Sequence, residues 1–328
     1  MDPWPDIERS IREASGAPFV SESRAGIGGG CVNESHVIRG HGRAFFVKVN
    51  GADKANMFAA EAAGLEEIAR TRTVRVPKPL CHGANRQASW IVLEHLELRP
   101  GNDKSLRELG RNLARLHRVT GKRYGWHRDN TIGATPQVNA WADDWVAFWR
   151  ERRLGYQLKL AASKGRGGRL IANGERLMEK LPAIFKGYCP PPSLLHGDLW
   201  SGNAAMETGG EPVIFDPATY YGDREADLAM TELFGGFPQS FYDAYRAEYP
   251  LDPGYASRKP LYNLYHVLNH LNLFGGGYRA RAERMIEEAN TKANEDREFL
   301  LKVAVRRRME EIRQELDQYP KRPDARPL

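Results

Sequence analysis

The sequence predicts an α+β fold of two lobes, a small strand-rich N-terminal lobe and a larger, mainly helical C-terminal lobe. Strand-like apolar runs, with one helix among them, extend to about Glu94, and helical apolar stripes dominate after that point. A glycine-rich segment at 27–35 lies in the first part, and a polar segment at 196–203 lies in the second. The predicted units are 1–95 for the N-terminal lobe, 96–288 for the C-terminal lobe and 289–328 for a charged, amphipathic helical extension.

The glycine-rich segment lies between two predicted strands of the N-terminal lobe. Bare glycines let backbone amides approach phosphate oxygens closely, so we expect this segment to cover a nucleotide; a plain flexible turn is the alternative. The candidate nucleotide-binding residues here are Gly28, Gly29, Gly30, Cys31 and Asn33. Cys31 is also a candidate redox switch, because backbone amides and positive charge around it would stabilise a thiolate. A small residue that fits a tight turn is the alternative for this position.

A lysine on the next strand has a candidate partner. The strand 45–49 alternates so that Phe45, Val47 and Val49 share one face and Lys48 lies on the other with Phe46. In the predicted helix 55–69, Glu61 falls in the middle of the apolar stripe. A carboxylate at a core-facing position is costly unless it is paired. The sequence therefore predicts a Lys48–Glu61 ion pair that directs the ammonium at nucleotide phosphates, with a Glu61 that reaches solvent at the stripe's edge as the alternative.

Three features follow along the chain. The buried strand that begins at Trp90 runs into a connection, and we expect its last residues, Glu94, His95 and Leu96, to form a hinge whose backbone contacts adenine. Ser105 and Glu108 form a capping-box pattern that predicts the start of a helix. An aromatic stripe predicts a buried helix, with a sugar-stacking platform as the alternative; its residues are Trp141, Trp145, Phe148 and Trp149.

The segment 196–203 carries the pattern expected of ATP-dependent phosphoryl transfer. Asp198 and Asn203 are five residues apart, and Asp216 ends an apolar strand of a predicted hairpin. In such a pattern the first Asp accepts or orients the proton of the acceptor hydroxyl, while the Asn and the later Asp hold magnesium. Gly197 stands where protein kinases carry Arg, which favours a small molecule or a modified side chain as the acceptor. The alternative is an Asp that only caps a loop.

These residues resemble the fructosamine kinase family (ketosamine-3-kinases), a branch of the kinase-like phosphotransferases that includes aminoglycoside phosphotransferases and choline kinases. The resemblance covers roughly residues 5 to 288. Its matching segments are 28–31, 129–133, 143–146, 148–149, 194–203, 215–227, 261–272 and 274–278.

The resemblance implies a kinase that uses ATP and Mg²⁺ to phosphorylate the 3-hydroxyl of a ribulosamine, erythrulosamine or fructosamine, after which the adduct falls apart and the amine is regenerated. It implies Asp198 as the base, Asn203 and Asp216 as magnesium ligands, and Asp227 as a buried carboxylate that braces the catalytic loop. It places four residues near the acceptor: Trp200, His266, Asn269 and His270. A packing tryptophan, a helix-capping aspartate and satisfied core histidines are the alternatives.

Composition limits the other function classes that the sequence could represent. The net charge of +6 allows a nucleic-acid-binding protein, but acids interrupt the basic runs and no reader motif is present, so no nucleic acid is expected. We expect no membrane partner, and the N-terminus and three scattered cysteines suggest the cytoplasm.

The expected partners are glycated proteins or free glycated amines. A monomer is expected, with a dimer through Cys31 or the tail as the alternative; in the tail, packing on the large lobe is expected first. A phosphotransferase for an aminoglycoside or another alcohol, and a pseudokinase scaffold, are the runner-up functions.

Overall fold

The computed structural model describes residues 2–28 and 32–317. Its helices are α1 (Trp4–Ser15), α2 (Ala55–Thr71), α3 (Asp103–His117), α4 (Trp145–Phe148), α5 (Gly155–Ser163), α6 (Arg169–Ile184), α7 (Arg224–Leu233), α8 (Gln239–Glu248), α9 (Tyr255–Phe274) and α10 (Arg279–Asp317). Its strands are β1 (Ser23–Ile27), β2 (Glu34–Gly40), β3 (Arg43–Gly51), β4 (Pro79–Ala84), β5 (Ala88–Glu94), β6 (Leu98–Arg99), β7 (Asn130–Ile132), β8 (Thr135–Gln137), β9 (Ser193–Leu195), β10 (Ala204–Glu207), β11 (Pro212–Ile214) and β12 (Tyr220–Gly222).

The N-terminal lobe is an antiparallel sheet in the order β1-β2-β3-β5-β4 with a helix on each face. Alternation along β3 sends Phe45, Val47 and Val49 into one core cluster with residues of α1. Phe46 packs on the opposite side, in the cluster that contains the apolar residues of α2. That second cluster continues into α3, α8 and the strand β9, so a single apolar core crosses from one lobe to the other.

The C-terminal lobe is mainly helical, and this arrangement confirms the predicted two-lobed α+β fold. Its core surrounds α9, and the first turns of α10 close it with Ala282 and Ile286 fully buried. In the parts of the chain described here, no helix combines the length and apolar character needed to cross a bilayer. The predicted lobe boundaries stay predictions.

The end of α10 does not pack as the sequence suggested. α10 runs without a break across the predicted boundary at 288–289. Val305, Met309 and Ile312 of its apolar stripe are 51%, 65% and 41% exposed, so the expected packing of these three on the large lobe is wrong. The predicted stripe also contains Leu301 and Leu316, whose side chains lie outside the described part of the chain.

The aromatic stripe is only partly a helix face. Trp145, Phe148 and Trp149 are buried in the C-terminal core, whereas Trp141 is 40% exposed and precedes α4. The reason is the cap: the Asp144 carboxylate accepts a hydrogen bond from the Ala147 amide at 2.7 Å, which starts the helix at Trp145. None of the four rings lines the cavity between the lobes, so the structure favours core packing for the three buried ones.

The capping box of α3 is shifted from the predicted position. Asn102 is the N-cap, and its side chain accepts from the Ser105 amide at 2.9 Å, while the Ser105 hydroxyl accepts from the Asn102 amide at 2.9 Å. The predicted Ser105–Glu108 box is therefore wrong. Asparagine caps a helix as well as serine does, and an Asn three residues before a Ser makes the same reciprocal pair.

The contact between α3 and α8 leads to a prediction about stability. At Gly110 in α3, an added Cβ would lie 2.2 Å from the carbonyl oxygen of Phe241 in α8. We expect Gly110→Ala to lower the free energy of unfolding by about 1–3 kcal/mol, because this clash exceeds the gain of about 1 kcal/mol for alanine over glycine in a helix. Urea denaturation measures the change.

Gly209→Ala is the matched control, because an added Cβ there meets nothing within 4 Å. An equal change in the two variants would contradict the packing account of Gly110.

Candidate active site

A cavity of about 460 Å³ lies between the lobes, and both lobes line it. It brings together half of the residues predicted for the site. Those that line it are Asn33, Lys48, Glu61, Asp198, Trp200, Asn203, Asp216, Asn269 and His270. Gly28 lies outside the lining, and Gly29, Gly30 and Cys31, with the proposed redox switch and the Cys31-linked dimer, lie outside the described residues.

One buried cation joins two carboxylates at the floor of the cavity. The Lys48 Nζ atom lies 2.6 Å from Glu61 Oε1, which confirms the predicted ion pair, and it also donates a hydrogen bond to Asp216 Oδ1. Burial alone would lower the pKa of Lys48, but the charges of Asp216 and Glu61 outweigh burial and raise the pKa above its usual value. Lys48 therefore stays protonated at any physiological pH.

The helix that carries Glu61 is fixed to the C-terminal lobe by contacts that the sequence did not reveal. Arg128 donates to the backbone oxygen of Ala59 at 3.1 Å, and the Tyr221 hydroxyl donates to the Glu67 carboxylate at 2.7 Å. Between them, α2 approaches the segment after Asp216 so closely that a Cβ on Gly64 would lie 2.9 Å from Thr219 Oγ1. These contacts hold α2 where Glu61 meets Lys48. No local sequence pattern marks pairs that lie so far apart in the chain.

The hairpin of β10 and β11 places Asn203 beside Asp216, as the sequence predicted. Ala204 pairs with Ile214, and the Phe215 amide donates to the Asn203 carbonyl at 3.1 Å. Asp216 adopts a left-handed conformation with φ 58°, which turns its side chain out of the strand direction towards Lys48.

The donor set at this hairpin suits a magnesium ion. The Asn203 side-chain nitrogen donates to the Asp198 carbonyl at 2.8 Å, which leaves the amide oxygen for a cation. Asp216 keeps a second carboxylate oxygen beside the one that accepts from Lys48. Within 2–28 and 32–317, no three His, Cys, Asp or Glu side chains cluster as a metal site, so further ligands would have to be water or phosphate oxygens.

Asp198 is a carboxylate with an altered acidity. Neither of its side-chain oxygens accepts a hydrogen bond from the residues described. Burial, together with the charges of Asp216 and Asp227, raises the pKa of Asp198 to about 7. A carboxylate with this pKa can exchange a proton at neutral pH, which is the property a general base needs.

A second buried carboxylate holds the backbone of the loop that carries Asp198. Asp227 accepts from the amides of His196 at 2.7 Å and Gly197 at 2.8 Å, and it contacts His117 Nε2 at 3.1 Å. Burial alone would raise the pKa of Asp227. Other effects, the largest of which is the hydrogen bond with His117, outweigh burial and lower the pKa of Asp227 below its usual value. Asp223, and not Asp227, caps α7 by accepting from the Glu225 amide at 3.0 Å.

His117 and His196 complete this support. The side chain of His196 contacts the carbonyl of Phe215 at 3.0 Å and the amide of Asp198 at 3.3 Å, so one ring nitrogen donates and the other accepts. Burial lowers the pKa of His196, which agrees with a neutral ring. His117 lies 110 residues from Asp227 in the chain, and no sequence pattern connects the two.

The side of the cavity predicted to hold the acceptor contains two of the three residues predicted on α9. Asn269 and His270 line it, and Trp200, 39% exposed, stands at its edge. His266 is 3% exposed behind the wall, and burial lowers the pKa of His266 to about 3, so its ring is neutral. Asn130, which the sequence analysis missed as a lining residue, is fixed by donating to the Thr219 carbonyl at 2.8 Å.

Val32 and Asn33 at the glycine-rich end of the predicted nucleotide site line the cavity, whereas the predicted hinge residues do not. Asn50 on β3 donates to Asn33 Oδ1 at 2.8 Å and to the Val32 carbonyl at 2.9 Å, so it anchors the end of the glycine-rich segment. At the hinge, the Glu94 carboxylate pairs with Arg75 and accepts from the Lys78 amide. Glu94, His95 and Leu96 do not line the cavity, and their contact with adenine stays a prediction.

The departure of Gly197 from the protein-kinase pattern has a steric cause. Gly197 has φ 84°, and an added Cβ would lie 2.1 Å from the carbonyl oxygen of Ala218. We expect Gly197→Ala to lower kcat by at least about tenfold, because the clash displaces Asp198 and misplacing a reacting group by about 1 Å costs up to 10²-fold.

Steady-state phosphoryl transfer and nucleotide affinity, measured on the same preparation, test this prediction. Gly209→Ala is the control, because an added Cβ there meets nothing within 4 Å and Gly209 does not line the cavity. Full activity in Gly197→Ala would contradict the steric account.

Comparison with known proteins agrees with this geometry. The family model described as fructosamine kinase matches residues 3–292. A Synechocystis protein named as a probable ketoamine kinase is 50% identical over 87% of this chain and 96% of its own length. A chloroplastic protein-ribulosamine 3-kinase of Arabidopsis thaliana is 45% identical over 80% of this chain and 81% of its own length.

A solved structure from Haemophilus somnus, which carries the name of a fructosamine-3-kinase, has a TM-score of 0.82 and is 31% identical. The match covers 87% of this chain and 97% of that one. The family model spans both lobes and every predicted site residue, so the chain belongs to the fructosamine kinase family.

Proposed function

We propose that this protein is an ATP-dependent ketosamine 3-kinase that acts in deglycation. The observation that carries the proposal is the set of side chains in one cavity: a protonated Lys48 between Glu61 and Asp216, with Asp198 beside them. The names of the relatives, a ketoamine kinase and a protein-ribulosamine 3-kinase, support a ketosamine as the acceptor. Glycated proteins or free glycated amines are the proposed substrates.

The cavity floor is proposed as the phosphate site. Lys48 would bind phosphate oxygens of ATP, and Glu61 would keep its ammonium in place. Asn203 and Asp216 would hold Mg²⁺ through the amide oxygen and the carboxylate. When bound, magnesium neutralises charge on the phosphates. Asn33 and the glycine-rich segment would cover the nucleotide from the N-terminal lobe.

Asp198 is proposed as the general base. Its carboxylate lines the cavity and is free of hydrogen bonds from the described residues, so it can accept the proton of a sugar hydroxyl. The raised pKa makes the carboxylate basic enough for this transfer near pH 7. Asp227 does not touch substrate in this proposal; it positions the loop through the amides of His196 and Gly197.

The acceptor would lie between Asp198 and the wall formed by Trp200, Asn269 and His270. An indole at the cavity edge offers a flat face to a sugar, and the amide and imidazole offer hydrogen-bonding groups. The cytoplasmic location and the monomeric state suggested by the sequence stay predictions.

The proposed function is tested by offering ribulosyl-lysine, fructosyl-lysine and kanamycin in parallel with ATP and Mg²⁺, and measuring the mass of each acceptor. We expect an added phosphate on a ketosamine and none on kanamycin, with Asp198→Asn as the inactive control. Phosphorylated kanamycin would favour the aminoglycoside alternative. ATP binding without transfer to any acceptor would favour the pseudokinase alternative.

The acidity of Asp198 predicts a pH dependence of the reaction. Because the base must be unprotonated, kcat/KM for the ketosamine should rise with pH through the acid range and then level off. Mg²⁺ at Asp216 offsets part of the charge that raises the pKa of Asp198 to about 7 in the metal-free site, so the levelling should come at or below that pH. The initial rate at low ketosamine concentration and saturating ATP and Mg²⁺, measured between about pH 4.5 and about pH 8.5, gives the profile, and a flat profile over this whole range would contradict the role of Asp198.

The same pKa predicts a gain in stability when the charge is removed. The folded protein holds the Asp198 proton up to about pH 7, whereas the usual pKa is 3.8. The free energy of unfolding therefore falls between these values as pH rises, and the carboxylate is destabilising above pH 7. We expect Asp198→Asn to raise the melting temperature at about pH 8, measured without metal or nucleotide, and to change it less near pH 4.

An Asp198→Asn variant that melts at a lower temperature than the wild type at pH 8 would show that the carboxylate is stabilised in the fold. That result would contradict the raised pKa.

A further inference from the structure

Part of the cavity wall is aromatic, in contrast to the charged part that contains Lys48. Four rings meet there, contributed by the end of α7, by α9 and by the turn that follows α9. We call this group the aromatic rim, and its residues are Phe234, His270, Phe274 and Tyr278.

His270 is the centre of the aromatic rim. Its ring centroid lies 4.7 Å from that of Phe234, 5.5 Å from that of Phe274 and 5.1 Å from that of Tyr278. Burial lowers the pKa of His270, and the nearby charge of Arg281 adds to this effect, so the ring is neutral at pH 7. The aromatic rim is therefore an uncharged surface, suited to hydrocarbon and not to an anion.

The backbone after α9 is shaped so that Tyr278 returns to this surface. Gly275 ends the helix with φ 84°, and the Tyr278 amide then donates to the Gly275 carbonyl at 3.2 Å. Phe274, just before the turn, is 58% exposed although it contacts two other rings. Phe274 lines the cavity and is mostly in water, so it lies where the cavity opens to solvent.

The tip of the β7–β8 hairpin lies beside the aromatic rim. Thr131, Ile132 and Gly133 line the same cavity, and a Cβ on Gly133 would lie 3.3 Å from Leu273 Cδ1. The hairpin tip therefore packs against α9 next to the aromatic rim, and both line the cavity. Lys48 and Glu61 of the N-terminal lobe line the same cavity.

From these contacts we propose that the aromatic rim is the amine-side subsite, and that it binds the hydrocarbon arm of a glycated lysine. The inference rests on the proposed function: with the sugar hydroxyl at Asp198, the substituent on the ketosamine nitrogen must pass out of the cavity. A lysine residue supplies four methylene groups at this point, and methylenes that leave water to pack on aromatic rings stabilise the complex. A short amine has nothing to place there.

The test compares two acceptors that carry the same ribulose, the adduct of Nα-acetyl-lysine and the adduct of methylamine. The measured quantity is the ratio of their kcat/KM values. In the wild type we expect a preference of about tenfold or more for the lysine adduct, as burial of two methylenes would give. Phe274→Ala and Tyr278→Ala should each reduce this ratio by about threefold to tenfold, mainly through the KM of the lysine adduct.

Two further variants separate this role from a general loss of structure. Phe274→Leu keeps a hydrocarbon surface and should retain most of the preference. Trp141→Ala is the matched control, because Trp141 is a 40% exposed aromatic residue of the same lobe that does not line the cavity; its ratio should equal that of the wild type.

The outcomes of this comparison separate the amine-side subsite from the proposed function. A wild-type ratio near one, or ratios unchanged in both alanine variants, would overturn the amine-side subsite while leaving the kinase function intact. A wild type that phosphorylates neither adduct would overturn the proposed function, and the subsite with it.

Discussion

The interaction on which the site depends is the contact of Lys48 with two carboxylates from different lobes. Glu61 comes from the helix α2 of the N-terminal lobe and Asp216 from the hairpin edge of the C-terminal lobe. A buried ammonium without partners would lose its charge, and either carboxylate left alone beside it would be costly. The charge balance therefore requires both lobes to be in place. It fixes the cleft geometry before any ligand enters, which is the preorganisation that phosphoryl transfer demands.

The C-terminal lobe holds the loop that carries Asp198 in place with a buried carboxylate of its own. Asp227 fixes the backbone of His196 and Gly197, and the carbonyl of His196 in turn accepts from the Ala218 amide at 2.8 Å. The loop that carries Asp198 is thus tied to the segment that follows Asp216. Asp198 itself is left without hydrogen bonds from the described residues, close to two like charges, and its raised pKa is the result. The fold supports the neighbours of Asp198 so that this residue can remain reactive.

The sequence predicted what local patterns encode. Alternation along β3 identified Lys48, the carboxylate in the stripe of α2 identified its partner, and the hairpin pattern placed Asn203 beside Asp216. The sequence did not predict the contacts between segments that lie far apart in the chain. The contacts of α2 with Arg128 and Tyr221, and of Asp227 with His117, join segments that share no period or motif. The stripe at the end of α10 has the spacing of a packed helix, yet Val305, Met309 and Ile312 are exposed, because spacing alone does not place a partner surface beside a helix.

The central claim is that this cleft transfers phosphate from ATP to one hydroxyl of a ketosamine. The most direct measurement is the position of the phosphate in the product formed from ribulosyl-Nα-acetyl-lysine, by phosphorus–carbon coupling in NMR spectra. We predict coupling that places the phosphate on the C3 oxygen, and no such product with Asp198→Asn. Phosphate at another carbon, or release of ADP with the ketosamine unchanged, would contradict the claim.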